Sequence, residues 1–362
     1  MKLFLDILST LALLVWPLLM MMSPMLFDAP GSENNKSNLT FLLFVIFYPV
    51  IIFVCYKLFG MTYFRISADR ALLVCVVLTV LVALVFGYPR FIMNVVAGIS
   101  GNGYFVKEDK VYYYGKPLNS ALASTFKTIG GQYARYALDE KHVYFDGRLI
   151  EGADAGSFTG VSNPNAQAGE ERFTLFWKDQ AHVYLEGRIL PGAKAAEFRH
   201  LGGRYGSDNQ QVYYGWQVLQ GGNPASFQLL NPDMGKDDKQ VFVFDKACKL
   251  NAPTAHFHLL SNQDLAVYAT DGQFLYAVFF GAMEPLQVVT DADPATFTLL
   301  ERSYFKDNKR VYYRDSSQKK VILLEAADAA GFVAGNYDSA TDSDAHDGAH
   351  YYLAGKLATG KK

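Results

Sequence analysis

The stretch DEKHVYFDGRLIEGADAGSF, residues 139–158, decides the fold, because it returns as DQAHVYLEGRILPGAKAAEF at 179–198. An aspartate opens a few polar residues and a Val-Tyr strand follows. A glycine turn then leads into a second short strand, and a small-residue phrase ends in phenylalanine. Further copies run from 208 to 227 and from 237 to 257. A period of roughly 20–50 residues marks a repeat architecture before any local reading is made.

Aligned on the strand-opening position, the copies fall at Val111, Val143, Val183, Val212, Val241, Phe274 and Val311, with a degenerate eighth at Tyr351. The closing aromatic falls at Phe126, Phe158, Phe198, Phe227, Phe257, Phe297 and Phe332. Spacing inside the early units is constant and spacing between units varies. That pattern places insertions in surface loops, such as residues 162–171. Each unit reads as a β-meander. A strand such as 173–177 leads to a turn opened by Asp179, whose carboxylate can accept from the backbone two residues on. After the Val-Tyr strand come tight turns at Asp146-Gly147, Glu186-Gly187, Tyr214-Gly215 and Ala354-Gly355, where glycine supplies positive φ. The strands are apolar on both faces, Val111 and Tyr113 on one and Tyr112 and Tyr114 on the other, so every sheet needs a covering neighbour.

Residues 1–97 differ from the rest in being mostly apolar. Three stretches, about 3–27, 39–59 and 71–90, are long enough to span a bilayer. The loop between the second and third carries Lys57, Arg65 and Arg70 against Asp69, whereas the first loop carries Lys36 against Asp28 and Glu33. The positive-inside rule puts the basic loop in the cytoplasm. Three spans then leave the N-terminus inside and residues 98–362 outside, as the extracytoplasmic domain of a multi-pass inner-membrane protein. The first segment has no small-x-small site, so it reads as a span rather than a cleaved signal peptide. Asp6 reads as an acid that reaches the interface. Asn35 and Asn38 open glycosylation sequons that read as unused against a bilayer end. The expected fold class is a membrane-anchored all-β chain: three N-terminal transmembrane helices, then a tandem β-meander repeat array of seven to eight units, either open or propeller-like. Units of 29 residues are short for propeller blades, which favours the open array.

Lys and Arg number 33 and Asp and Glu 35. Residues 1–90 hold six of the basic and four of the acidic groups, so the remainder is slightly acidic. That balance argues against a nucleic-acid surface, which needs a basic stripe. Cys55, Cys75 and Cys248 form no CxxC pair and no disulfide framework.

The phrases KDNKRVYY at 306–313 and DPATF at 293–297 resemble the DKNYY repeat family of bacterial envelope proteins, over roughly residues 103–356. The resemblance implies a surface or periplasmic module without assigned chemistry, and it transfers no catalytic residues. The first copy departs from it in the shorter turn Glu108-Asp109-Lys110, and the sixth and eighth copies are degenerate.

No phosphate-binding loop, nucleophile elbow or zinc-protease motif occurs in the sequence. His256 and His258 would share a strand face around Phe257, but no third ligand lies near. The acidic tail fails as a calcium loop counted from Asp342, because Asp347 and Leu353 stand where glycine and glutamate are needed. His256, His258, Asp342 and Asp344 are therefore only weak metal candidates, and no metal, cofactor or catalytic set is expected. His142 and His182 share one repeat position and read as turn residues. Trp216, after Gly215 at a hairpin tip, is the preferred surface contact. The expected function is non-enzymatic: a membrane-anchored periplasmic repeat domain that binds an envelope protein, as a scaffold or as an immunity-type capture of a toxin. The alternative is an envelope glycan-binding protein or hydrolase, which needs convergent carboxylates in one cleft.

Overall fold

The structure is a computed structural model that describes residues 2–27, 32, 35–129, 134–164, 175–250, 252–263, 266–301 and 303–358. The chain forms two compact units, Met1–Phe158 with Glu186–Arg188, and Thr159–Leu185 with Ile189–Lys362.

Helix α1, Lys2–Met22, continues through a 3-10 turn at Ser23–Phe27; α2 spans Lys36–Leu58 and α3 spans Ala68–Val85. All three are long and apolar enough to cross a membrane. Asn35 caps α2 by accepting from the Ser37 N–H at 2.9 Å. The third helix stops five residues before the expected 90. Gly87 adopts φ 73°, and a separate helix α4, Tyr88–Val96, starts there with Pro89 in its first turn. Left-handed glycine ends one helical ladder, and proline, lacking an N–H, suits the first turn of the next. Trp16, Met20, Leu42, Val45 and Ile46 are buried between α1 and α2, and the Trp16 indole donates to the Val45 carbonyl at 3.0 Å. Asp6 meets the hairpin between α2 and α3. It is buried, accepting from the Tyr56 hydroxyl at 3.0 Å and the Phe64 amide at 3.2 Å, because a carboxylate inside an apolar bundle needs donors.

Among the described residues eight small antiparallel sheets follow, the first of three strands and seven of four. Each is a simple meander whose consecutive strands are neighbours, and none closes into a barrel. The fifth is representative, with strands Gln228–Asn231, Met234–Lys236, Val241–Val243 and Lys246–Cys248. The residue before the turn aspartate always pairs with the strand opener: Leu138 with Val143, Lys178 with Val183, Lys236 with Val241 and Lys306 with Val311. In the sixth sheet the same pairing joins Thr270 to Leu275. The strand there opens at Leu275 and not at the expected Phe274. Phe274 still belongs to the turn, where its N–H is donated to Asp271 at 2.8 Å. Tyr114 likewise lies outside the strand Lys110–Tyr113, as an exposed turn residue with φ 46°. Most of the insertion at 162–171 and the start of the strand expected at 173–177 lie outside the described residues; the strand observed is Phe176–Lys178.

In the second unit each sheet packs on the next. The opening residue is fully buried against the following sheet's aromatics: Val183 clusters with Phe198 and Tyr213, Val212 with Phe242, Val241 with Phe257 and Tyr276, and Val311 with Phe332 and Tyr352. The closing phenylalanine is the wedge between sheets. Phe332 lies 5.4 Å from both the Tyr304 and Tyr352 rings, and Phe227 lies 5.4 Å from Tyr205 and 5.9 Å from Phe242. Such aromatic contacts add about 0.5–1.5 kcal/mol each to the burial itself. The first unit repeats the device with Phe126 between Tyr104 and Tyr144.

Hairpin glycines are doubly constrained, Gly147, Gly187 and Gly355 alike. Gly147 (φ 71°) and Gly355 (φ 74°) occupy the left-handed region, and any Cβ there would run into the ring of Tyr113 or Tyr313 from the preceding sheet. Their N–H groups donate to Tyr104 and Tyr304 hydroxyls, each at 2.9 Å. Gly147→Ala and Gly355→Ala should each destabilise the fold by about 2 kcal/mol or more, since the left-handed conformation alone costs roughly 1–2 kcal/mol. Gly152→Ala, also at positive φ but with open space around it, should cost only that conformational part. Chemical unfolding of the three variants beside the unmutated chain checks the order.

Candidate functional site

The most repeated polar arrangement is built on the turn aspartates Asp139, Asp179, Asp208, Asp237, Asp271, Asp307 and Asp347, all buried at 1–8 % exposure. One oxygen of each accepts two backbone N–H groups, from the residues two and three positions on, at 2.7–3.0 Å. The other oxygen takes the hydroxyl of a tyrosine five residues on: Tyr144 at 3.1 Å, Tyr184 at 2.6 Å, Tyr213 at 3.4 Å, Tyr276 at 2.5 Å, Tyr312 at 3.3 Å and Tyr352 at 3.3 Å. In the fifth sheet Phe242 stands at that place and donates nothing. A fourth donor arrives from the linker before the sheet, as the N–H of Leu122, Lys194, Asn223, Asp293 or Asp328, at 2.9–3.0 Å.

The residue before the aspartate extends the clamp the other way. Lys178 donates to Ala195 O at 3.0 Å, Lys236 to Thr254 O and Phe257 O at 3.0 and 2.7 Å, and Lys306 to Ala329 O at 2.7 Å. The linkers beginning at Lys194 and Asp328 are thus held from both sides, by a lysine of one sheet and an aspartate of the next. A second aspartate-type turn sits within the linkers, where Asp154, Asn223, Asp293 and Asp328 accept from the N–H two residues on. The sequence reading missed this role, although an Asp or Asn four residues before the closing phenylalanine, as at Asp154, Asn223, Asp293 and Asp328, carries its signal.

These carboxylates work as anions. Burial pushes Asp139, Asp271, Asp307 and Asp347 upward, but the backbone and side-chain donors outweigh it and hold all four below the ordinary carboxylate range. Burial and the adjacent carboxylate push the hydroxyls of Tyr144, Tyr312 and Tyr352 up to about 12, so they remain donors at neutral pH. Carboxylates with both oxygens engaged this way act as structural anchors.

Other predicted residues are dispersed. His256 ends a 3-10 turn and His258 opens a strand; both are exposed, and the His258 ring contacts only the His256 carbonyl, at 2.9 Å. Asp342 accepts from Tyr337, and Asp344 accepts from Tyr304, each at 2.7 Å, while Asp344 also receives the Ala354 N–H. Among the described residues no group of three or more His, Cys, Asp or Glu side chains gathers to hold a metal. Burial pushes the Cys248 thiol up to about 11, away from nucleophilic use. Trp216 is half-buried and packs on the cluster around Val183, Phe198 and Tyr213. His142, His182 and also His350 occupy the turn position whose N–H the aspartate accepts, as expected for turn residues.

A recess of 320 Å³ lies where the anchor meets the first sheet, lined by Phe27, Phe91, Asn94, Asn102 and Tyr114 among others. Its two amides are spoken for: Asn94 donates to Gly115 O at 2.9 Å and Asn102 to Phe27 O at 3.2 Å. They join the membrane end of the chain to its first repeat.

Two outcomes follow from the clamp. Asp307→Ala strands two turn amides, the Asp293 amide and the Tyr312 hydroxyl, and should cost about 2–4 kcal/mol, whereas Tyr312→Phe removes one donor of four and should cost about 1 kcal/mol. Equal losses in chemical unfolding would contradict the four-donor arrangement. Since the folded carboxylates of Asp139, Asp271, Asp307 and Asp347 sit below their unfolded value of about 3.9, their contribution is full above that pH and is lost as pH falls through the folded values. Stability should therefore drop steeply below about pH 4. The Asp307→Asn variant should show a shallower drop.

Neither a curated protein nor a solved structure matches the chain. A family model described as the DKNYY family matches residues 104–246, which run from the first strand of the first sheet to the last hairpin of the fifth. The Asp-to-Tyr clamp continues beyond that match in Asp271, Asp307 and Asp347. Over residues 104–246, then, the chain is similar to the DKNYY family.

Proposed function

We propose that this is a non-enzymatic, membrane-anchored protein whose β-repeats bind a partner protein on the outer side of a bacterial inner membrane. The observation that carries the reading is the engagement of the seven turn carboxylates in holding their own sheets. The conserved-in-repeat chemistry is spent on architecture, and what varies between units is the exposed surface. Repeat arrays characteristically use such surfaces for macromolecular partners. Three apolar helices supply the anchor. The basic loop with Lys57, Arg65 and Arg70 favours the cytoplasmic side for the segment between α2 and α3, and so places the repeats outside. An envelope scaffold and a periplasmic capture of an incoming toxin are the two forms of this function.

Reporters test the placement. Alkaline phosphatase fused after the last repeat should be active, and a fluorescent protein that matures only in the cytoplasm should stay dark. The reverse pattern overturns the topology. Photo-crosslinking from position 216 in living cells should then trap a discrete protein adduct. If glycan fragments are trapped instead, the protein-binding reading gives way to a glycan-binding one.

A further inference from the structure

Within the first compact unit, the three long helices leave a slot of 330 Å³ on their surface. Its floor is α3, whose residues Arg70, Ala71, Val74, Cys75 and Leu78 recur at helical spacing along one stripe. The stripe covers eight residues of rise, about 12 Å. Trp16 from α1 and Phe53 from α2 wall it in. Arg70 stands at one end, in the first turn of α3, where the apolar stripe reaches the basic loop.

Charge decides what fits. The neighbouring carboxylate, Asp69, is held by Lys57 at 2.7 Å, which leaves the slot end cationic. Ser67, the N-cap of α3, makes no capping hydrogen bond through its side chain, so the positive end of the helix adds to the Arg70 charge. An occupant must therefore be apolar for about 12 Å and anionic at one end. A partner helix is a poorer match. It needs a seam near the full ~30 Å of the bilayer core, and a close-packed seam favours small residues, whereas Trp16, Phe53 and Leu78 are large. Lipid tails are the apolar rods available at this depth, and a run of 12 Å lies within one leaflet.

We infer that the slot seats one acyl chain of an anionic phospholipid, with the phosphate against Arg70. The site is independent of what the repeats bind.

The test uses the full-length protein in detergent, offered phosphatidylglycerol or phosphatidylcholine with the same chains and examined by native mass spectrometry. The expected result is a single retained phosphatidylglycerol, held in preference to phosphatidylcholine. Arg70→Gln should lower phosphatidylglycerol retention about fivefold, to the phosphatidylcholine level. Val74→Trp should abolish retention of both lipids by filling the slot. Both side chains are exposed, at 58 % for Val74, so the variants should melt like the unmutated protein, which circular dichroism verifies. Equal retention of the two lipids, an unchanged preference in Arg70→Gln, or a dimer that Val74→Trp dissociates would each overturn the assignment, the last by placing a second copy of the chain in the slot.

Discussion

The repeat part of this protein depends on one interaction, a buried aspartate held by three or four donors. A carboxylate removed from water is costly unless each lone pair finds a partner. Here the partners are two turn amides, a tyrosine hydroxyl and the amide of an incoming linker. Those four groups belong to three different parts of the repeat. Satisfying one charge therefore closes the turn, orients the strand that follows, and fixes where the previous unit hands over to the next. The lysine that precedes several of these aspartates reaches the linker on the other side of its sheet. The Lys-Asp dipeptide thus holds both neighbours, and strands of only two to six residues are enough to build the array.

Packing completes what the clamp begins. A four-stranded sheet of such short strands buries too little to stand alone. The opening valine and the closing phenylalanine put its apolar surface against the next sheet, and the hairpin glycine lets an aromatic ring of the previous sheet lie directly on the turn. Each unit is therefore stable only with its neighbours, and a repeat-bearing surface results that can vary without disturbing the frame.

In the helical part some buried polar groups are likewise matched. Asp6 meets Tyr56 and the Phe64 amide, and Trp16 meets the Val45 carbonyl. Arg70 stands in the first turn of α3, where an apolar slot opens beside a cation.

Much of this was legible in the residues. The period, the glycine turns, the closing phenylalanines and the three apolar segments follow from local rules: backbone sterics for glycine, alternation for strands, and length against bilayer thickness. The role of Asp347 as a turn aspartate was readable because it keeps its distance from the Val-Tyr strand. Other features needed the tertiary structure. The sixth unit's register is set at Leu275 by pairing with Thr270, and two adjacent apolar residues offer no local way to choose between them. The third helix ends at Val85 because Gly87 turns left-handed, although the apolar run continues. The half-burial of Trp216 and the engagement of Asp344 by Tyr304 depend on a neighbouring unit tens of residues away. Sequence alone determined the repeat, its turns and the helices, since those arise from contacts within a few residues. Which face is covered, which carboxylate is neutralised by donors and where a slot opens were decided by contacts between units, which no single repeat contains.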